Sequence, residues 1–226
     1  MGEYGDFGRR YVLDPVMLPR ALAPSPKKAL DAGCGEGRFC RMLKLHGIEV
    51  TGIDPTPALL AAARARDPQS RYLQAVAEQL PLDDNAFDLV VSYLSLIDIP
   101  NMQAAISEMA RVLNPGGTLL IANLNSFNTA GSGWVKADTG EHLYFPINNY
   151  LQGRSLWIEY RGIRVVNHHR PMSTYMRALL DAGLLLTYFD EPGPRPDAPE
   201  PEASLYRRVP WFHGMKWMKP IREESD

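Results

Sequence analysis

The chain has 226 residues, 45% of them hydrophobic, and a formal net charge of -2 from 24 Lys and Arg against 26 Asp and Glu. That is enough apolar material to bury a full core, so one domain over 1–226 is expected. The balanced charge, without a basic stripe, argues against nucleic acid as the default partner. No apolar run approaches the ~18 residues of a membrane span.

Two cysteines, Cys34 and Cys40, lie too close together to staple a long loop, and no metal-ligand spacing is present, so no metal is expected. The opening "MGEYGDFGRR" lacks the apolar core of a secretory leader. A reduced, cytoplasmic protein is expected.

Strand-type and helix-type runs then alternate. Strands are predicted at Ala29–Ala32, Glu49–Asp54, Arg71–Ala75, Phe87–Tyr93, Thr118–Asn123, Leu184–Asp190 and Trp211–Met218. Helices are predicted at Gly37–His46, Pro57–Ala65, Gln103–Val112 and Ser173–Ala182. Such alternation with short turns builds a parallel sheet with helices on both faces. In "MQAAISEMARVL" the positions Ala105, Met109 and Val112 share one stripe, as a helix lying on a sheet requires. "NPGG" at Asn114–Gly117 ends that helix and turns the chain into the next strand.

Two regions break the pattern. Residues 125–170 are rich in Asn, Gly and aromatics, with turns expected at Gly153 and Gly162. They read as a β-rich cap inserted to define an acceptor. Residues 191–203, "EPGPRPDAPEPEA", are rich in proline and acid and read as an exposed linker. The closing "PWFHGMKWMKP" is expected to add a last strand at the sheet edge.

Three alternate glycines in "DAGCGEGRF" follow the first strand. In an open parallel sheet ligands sit at the carboxyl ends of the strands, and this turn occupies one. Asp54 closes the second strand, where a carboxylate can accept hydrogen bonds from a ribose diol. A nicotinamide dinucleotide and an adenosyl cofactor are so far equally served. The spacing separates them. Dinucleotide turns run G-x-G-x-x-G against a pyrophosphate. Here the run is G-x-G-x-G, with Glu36 before the last glycine, which suits a phosphate-free cationic ligand better.

"LDAGCGEGRF", "VTGIDPTPALLAAAR", "AEQLPLDDNAFDLVVS" and "ARVLNPGGTLLIA" occur in that order from Leu30 to about Ala122. Together they resemble a class I S-adenosylmethionine-dependent methyltransferase of type 11, in the branch similar to the quinone-biosynthesis C-methyltransferases. The resemblance implies a Rossmann-like, seven-stranded, mostly parallel sheet with an antiparallel last strand, and S-adenosylmethionine as cofactor. It implies that Asp31, Gly33 and Gly35 surround the methionine part, with Gly37 shaping the turn. Asp54 would bind the ribose and Pro55 flank the adenine. Ala77, Glu78 and Gln79 would lie beside the ring. Tyr93 would face the transferred methyl group, and Tyr11 would cover the methionine end.

Acceptor-side candidates lie outside those segments. Histidine titrates near working pH, which makes His142, His168 and His169 the candidate bases. Strand alternation lets only one of the adjacent pair face a site. Asp88 reads as structural. Trp134, Tyr144, Phe145, Tyr150 and Trp157 suggest an apolar or aromatic acceptor of modest size. "NLNSF" follows the fifth strand where methyltransferases of nucleic-acid amines carry a Pro-Pro signature, so such a substrate is disfavoured. The expected activity is O-, C- or N-methylation of an aromatic, quinone-like or secondary metabolite. The alternatives are a tRNA or RNA methyltransferase using Arg154, Arg161, Arg164 and Arg170, and a cofactor-binding subunit without catalysis. A monomer or homodimer is expected.

Overall fold

The computed structural model describes residues 5–160 and 163–221. A π-helical turn at Arg9–Leu13 runs into α1 (Asp14–Leu22). Then come β1 (Lys28–Ala32), α2 (Arg38–Lys44), β2 (Glu49–Asp54), α3 (Pro57–Arg66), β3 (Arg71–Gln74), β4 (Phe87–Tyr93), α4 (Met102–Val112) and β5 (Leu113–Leu124). The insertion holds α5 (Ser126–Ala130), β6 (Val135–Lys136), β7 (His142–Tyr144), β8 (Arg154–Tyr160) and β9 (Ile163–His169). The chain closes with α6 (Met172–Asp181), β10 (Leu185–Asp190), α7 (Glu202–Arg208) and β11 (Phe212–Met218).

Seven strands form one sheet in the order β10-β11-β5-β4-β1-β2-β3. β1 to β5 pair in parallel, while β11 runs antiparallel to both β5 and β10. The Rossmann-like sheet expected from the motifs is therefore present. One expectation is corrected: β11 is not an edge strand but inserts between β5 and β10. Its alternation explains why. Met215 and Trp217 are buried on one face and Phe212 on the other, so this strand needs cover on both sides.

The two faces of the sheet carry separate cores. One joins Leu30, Val90, Leu119 and Ile121 to α4 and α6. The other joins Ala29, Leu89, Val91 and Leu120 to α1, α2 and α3. The stripe Ala105, Met109 and Val112 on α4 is fully buried, as its 3.6-residue period requires. α4 starts where the Asn101 side chain accepts from the Ala104 N–H at 3.1 Å.

The insertion forms two short antiparallel ribbons, β6 with β7 and β8 with β9. The turn expected at Gly162 and the neighbouring Arg161 lie outside the described residues. The proline-rich run is exposed for much of its length, but Pro192 and Ala198 are buried. Its last residues, contrary to expectation, open α7, whose Ala203 is fully buried. Among the described residues no helix is long and apolar enough to cross a membrane.

Candidate functional site

The glycine turn joins β1 to α2. Gly33, Gly35 and Gly37 have φ of 84°, 55° and 76°, in the left-handed region that favours glycine. The three are not equivalent. A Cβ on Gly33 would stand 2.4 Å from the Ser95 Cβ, and one on Gly37 would stand 2.5 Å from the Tyr72 hydroxyl. A Cβ on Gly35 would meet no described atom within 4 Å. Gly33 and Gly37 are thus small for packing, whereas Gly35 leaves open space above the backbone.

Ser95 locks the turn to β4. Its hydroxyl donates to the Ala32 carbonyl at 2.6 Å and lies 2.7 Å from the Ser92 hydroxyl. The chain reaches that position by a bend at Leu94, whose φ of 59° is costly for a branched side chain. Strained backbone of this kind gathers at functional sites.

Two carboxylates face the turn. Asp54 accepts from the Gly35 N–H at 2.9 Å and from the Thr56 N–H at 2.8 Å. It therefore ties the β2 end to the glycine turn while starting α3. Asp31 is 1% exposed. Burial raises its pKa to about 7, opposed by the Cys40 thiol 3.3 Å away and aided by the negative Asp54. Its Oδ1 has no hydrogen-bond partner among the described residues. A buried carboxylate oxygen without a partner is costly, and a cationic ligand group would satisfy it. Both cysteines are free and buried. Glu36 is neutralised by Arg41 at 2.9 Å and by Arg66.

On the far side of Asp54, Gln74 of β3 donates to the Pro55 carbonyl at 3.3 Å. Ala77 is buried in the core, and the Gln79 N–H closes a tight turn on Val76. Glu78 accepts from the Asn101 N–H at 3.4 Å. Asp54, Pro55 and residues 77–79 therefore follow the adjacent, paired ends of β2 and β3.

The two tyrosines are differently placed. Tyr93 is buried against Phe39, with ring centroids 5.0 Å apart, and its hydroxyl donates to Asp14 at 2.8 Å. Asp14 is also paired with Arg38. In this structure Tyr93 thus fastens α1 over β4 and α2. Tyr11 packs on Phe7 and on the Arg10 guanidinium, and its carbonyl accepts from the Arg195 N–H.

The three histidines lie on β7 and β9, and the His168 N–H donates to the Ile97 carbonyl of the β4–α4 loop at 2.7 Å. His142 sits edge-on to Trp134, and its carbonyl accepts from Arg208 of α7 at 2.6 Å. His169 is buried with both ring nitrogens engaged: Nε2–H donates to the Tyr150 carbonyl at 2.9 Å, and Nδ1 accepts from the Thr129 hydroxyl at 2.7 Å. It has no nitrogen left for an acceptor. His168 points to the other face of β9 and lies 2.9 Å from the Ser155 hydroxyl. Burial lowers the pKa of both. Asp88 is structural, accepting from the Lys27 and Lys28 N–H groups and from Asn114.

Asp98, which sequence reasoning passed over, lies three residues beyond Ser95 and accepts from the Asn167 amide at 2.5 Å. The residue as a whole is exposed, but desolvation of its carboxylate by the packed protein raises its pKa to about 6, opposed by Asn167 and Arg9 and aided by Asp54. The available signal was its place just after β4 at the carboxyl edge of the sheet.

Comparison with known proteins follows the same lines. Residues 30–121 match the family described as "Methyltransferase domain". A malonyl-[acyl-carrier protein] O-methyltransferase from Serratia marcescens is 35% identical over 166 residues, 70% of this chain and 64% of that protein. An uncharacterised methyltransferase from Mycobacterium bovis is 36% identical over 126 residues, 54% of this chain and 49% of that protein. The matches thus span less than two thirds of these curated relatives. Among solved structures, an S-adenosylmethionine dependent methyltransferase from Mesorhizobium loti superposes with a TM-score of 0.79 at 27% identity, covering 96% of this chain and 100% of that one. Motif order, sheet topology and these likenesses place the chain in the class I S-adenosylmethionine-dependent methyltransferases, with S-adenosylmethionine as its cofactor.

Proposed function

We propose that the chain transfers the methyl group of S-adenosylmethionine to a small aromatic or quinone-like metabolite, on oxygen, carbon or nitrogen. The observation that carries this reading is the pairing of an open Gly35 with the partnerless Asp31 oxygen. Open backbone and a buried anionic acceptor suit an amino-acid ammonium, and Asp54 beside them suits a ribose diol.

The bound cofactor supplies a methyl group already activated on a sulfonium. What remains for the protein is alignment of the acceptor and exclusion of water. Asp31 would hold the ammonium and Asp54 the ribose hydroxyls. Ser95 fixes the spacing between the glycine turn and the β4 loop.

A small acceptor is favoured over RNA because the cap arginines among the described residues, Arg154, Arg164 and Arg170, are engaged with the protein itself. Arg154 donates to the Asn149, Thr129 and Ala130 carbonyls, and Arg170 to those of Leu96, Ile99 and Pro100. Arg164 lies over the Trp157 ring. The names of the curated relatives raise a second reading, methylation of a carboxylate carried on a protein thioester. The test is release of S-adenosylhomocysteine with a panel of phenols, hydroquinones, aromatic amines and a malonyl thioester. Turnover of the phenols or hydroquinones is expected. Turnover of the thioester alone would replace this reading with the second.

A further inference from the structure

The β4–α4 loop carries a group that no motif singled out. Asp98 follows the strained Leu94 and the Ser95 that packs on Gly33, so it is rigidly tied to the cofactor turn. Its own N–H donates to the Ser95 carbonyl at 3.0 Å. One carboxylate oxygen, Oδ1, takes the Asn167 amide from β9, and no hydrogen bond engages Oδ2 among the described residues. Four charged or polar groups bear on it from the surrounding elements. Arg9 comes from the N-terminal helical turn, Asp54 from β2, Asn167 from β9 and Tyr175 from α6.

Behind it lies a second, independent feature. Asn123, Ser126, Tyr175 and His213 are each 2% exposed or less. Their side-chain polar atoms make no hydrogen bond of good geometry among the described residues, although the Tyr175 hydroxyl lies close enough to Asn123 and Arg170 to interact with both. Asn123 and His213 are cross-strand partners on β5 and β11, and the Tyr175 and His213 rings are 5.9 Å apart. Burial holds His213 at about 4, so this set is uncharged at neutral pH. Interior polar groups of this number are normally satisfied by water or ligand. The set offers both donors and acceptors to a neutral polar molecule.

We propose that Asp98 is the acceptor-side catalytic residue, taking the proton from an O–H or N–H nucleophile, with Asn123, Tyr175 and His213 as the polar end of the acceptor subsite. This rests on the methyltransferase reading and narrows it. The acceptor lone pair forms a bond to the methyl carbon as the carbon–sulfur bond breaks, leaving the thioether. The acceptor proton passes to Asp98 Oδ2, and the carboxyl then returns it to solvent. A carboxylate acceptor has no proton to give and would be repelled by Asp98.

The test needs no known acceptor. Sinefungin carries an amine on the carbon that replaces the methylated sulfur, so its ammonium reports on charge facing the methyl position. Its affinity and that of S-adenosylhomocysteine are measured by calorimetry for the wild-type chain, Asp98→Asn and Asp98→Ser. Wild-type protein should prefer sinefungin by about tenfold or more, the scale of a hydrogen bond to a charged group. Both variants should lose that preference while their S-adenosylhomocysteine affinity stays within about twofold, which also shows that they fold. An unchanged preference in the variants, or none in the wild type, overturns the assignment of Asp98 alone. Failure of either ligand to bind wild-type protein overturns the methyltransferase reading, and this assignment with it.

Discussion

The glycine turn makes a prediction in which two neighbouring substitutions separate stability from binding. In Gly33→Ala the new methyl meets the Ser95 Cβ at 2.4 Å. Ser95 cannot retreat without breaking its hydrogen bond to Ala32. A left-handed φ costs an alanine about 1–2 kcal/mol, and overpacking adds about 1–3 kcal/mol. The total of about 2–5 kcal/mol corresponds to a Tm lowered by about 4–20 °C in a chain of this size. In Gly35→Ala only the backbone term applies, about 1–2 kcal/mol or about 2–8 °C, because no described atom lies within 4 Å of the new methyl. That methyl enters the space assigned to the cofactor. Thermal unfolding of both variants, each with and without S-adenosylhomocysteine, reads both effects. Gly35→Ala should unfold no more than about 2–8 °C below wild type and lose most of the ligand-induced shift. Wild-type affinity in Gly35→Ala, or wild-type stability in Gly33→Ala, would refute the division of roles.

Other expectations concern the carboxylates and the buried histidine. Asp54→Ala should weaken S-adenosylhomocysteine binding by about 1.5–3 kcal/mol in calorimetry, and an unchanged Kd would leave Asp54 only its backbone contacts. Asp31 is protonated below its pKa of about 7 and ionised above it, so affinity for a ligand ammonium should rise about tenfold from pH 6 to pH 8 and be flat in Asp31→Asn. Because that folded value exceeds the reference of 3.8, the free protein holds an extra proton between the two. Its stability should therefore fall as pH rises through that window, as a pH series of urea melts would show. His169→Ala strips partners from Thr129 and the Tyr150 carbonyl and should cost about 1–3 kcal/mol in urea unfolding, with ligand affinity within about twofold of wild type.

How far the sequence could be read depended on whether a signal was local. The strands β1 to β5 and the helices α2, α3, α4 and α6 carry periodic apolar runs, and their bounds were legible to within about two residues except the start of β5, which begins at Leu113 because Asn114–Gly117 is taken into the strand across a register shift instead of forming a turn before it. The N-terminal helix was not, because Pro15 and Pro19 disguise it. Pro15 stands in the first turn, where a missing N–H costs little, and burial of Met17 and Ala21 keeps the helix in place past Pro19. α7 was hidden for a related reason: it starts inside a proline- and acid-rich run that reads as linker. The inner position of β11 depends on long-range pairing with β5 and β10, which no local pattern encodes.

In the site, the glycine turn and Asp54 were legible because their spacing is itself the signal. The histidines stood out by residue type, whereas what decides their use is which nitrogens the fold has already taken. For His169 the answer is both. Asp98 shows the converse. It sits in no spaced motif, and only the folded loop brings it beside Asn167 and within the influence of Asp54 and Arg9.

The central claim is the cofactor, and thermal unfolding with S-adenosylmethionine, S-adenosylhomocysteine and NAD side by side tests it most directly. A ligand at about 100 times its Kd adds roughly 2.7 kcal/mol, or about 5–10 °C for a chain this size. The account predicts that shift with both adenosyl ligands and none with NAD. A shift with NAD alone, or with none of the three, would contradict it.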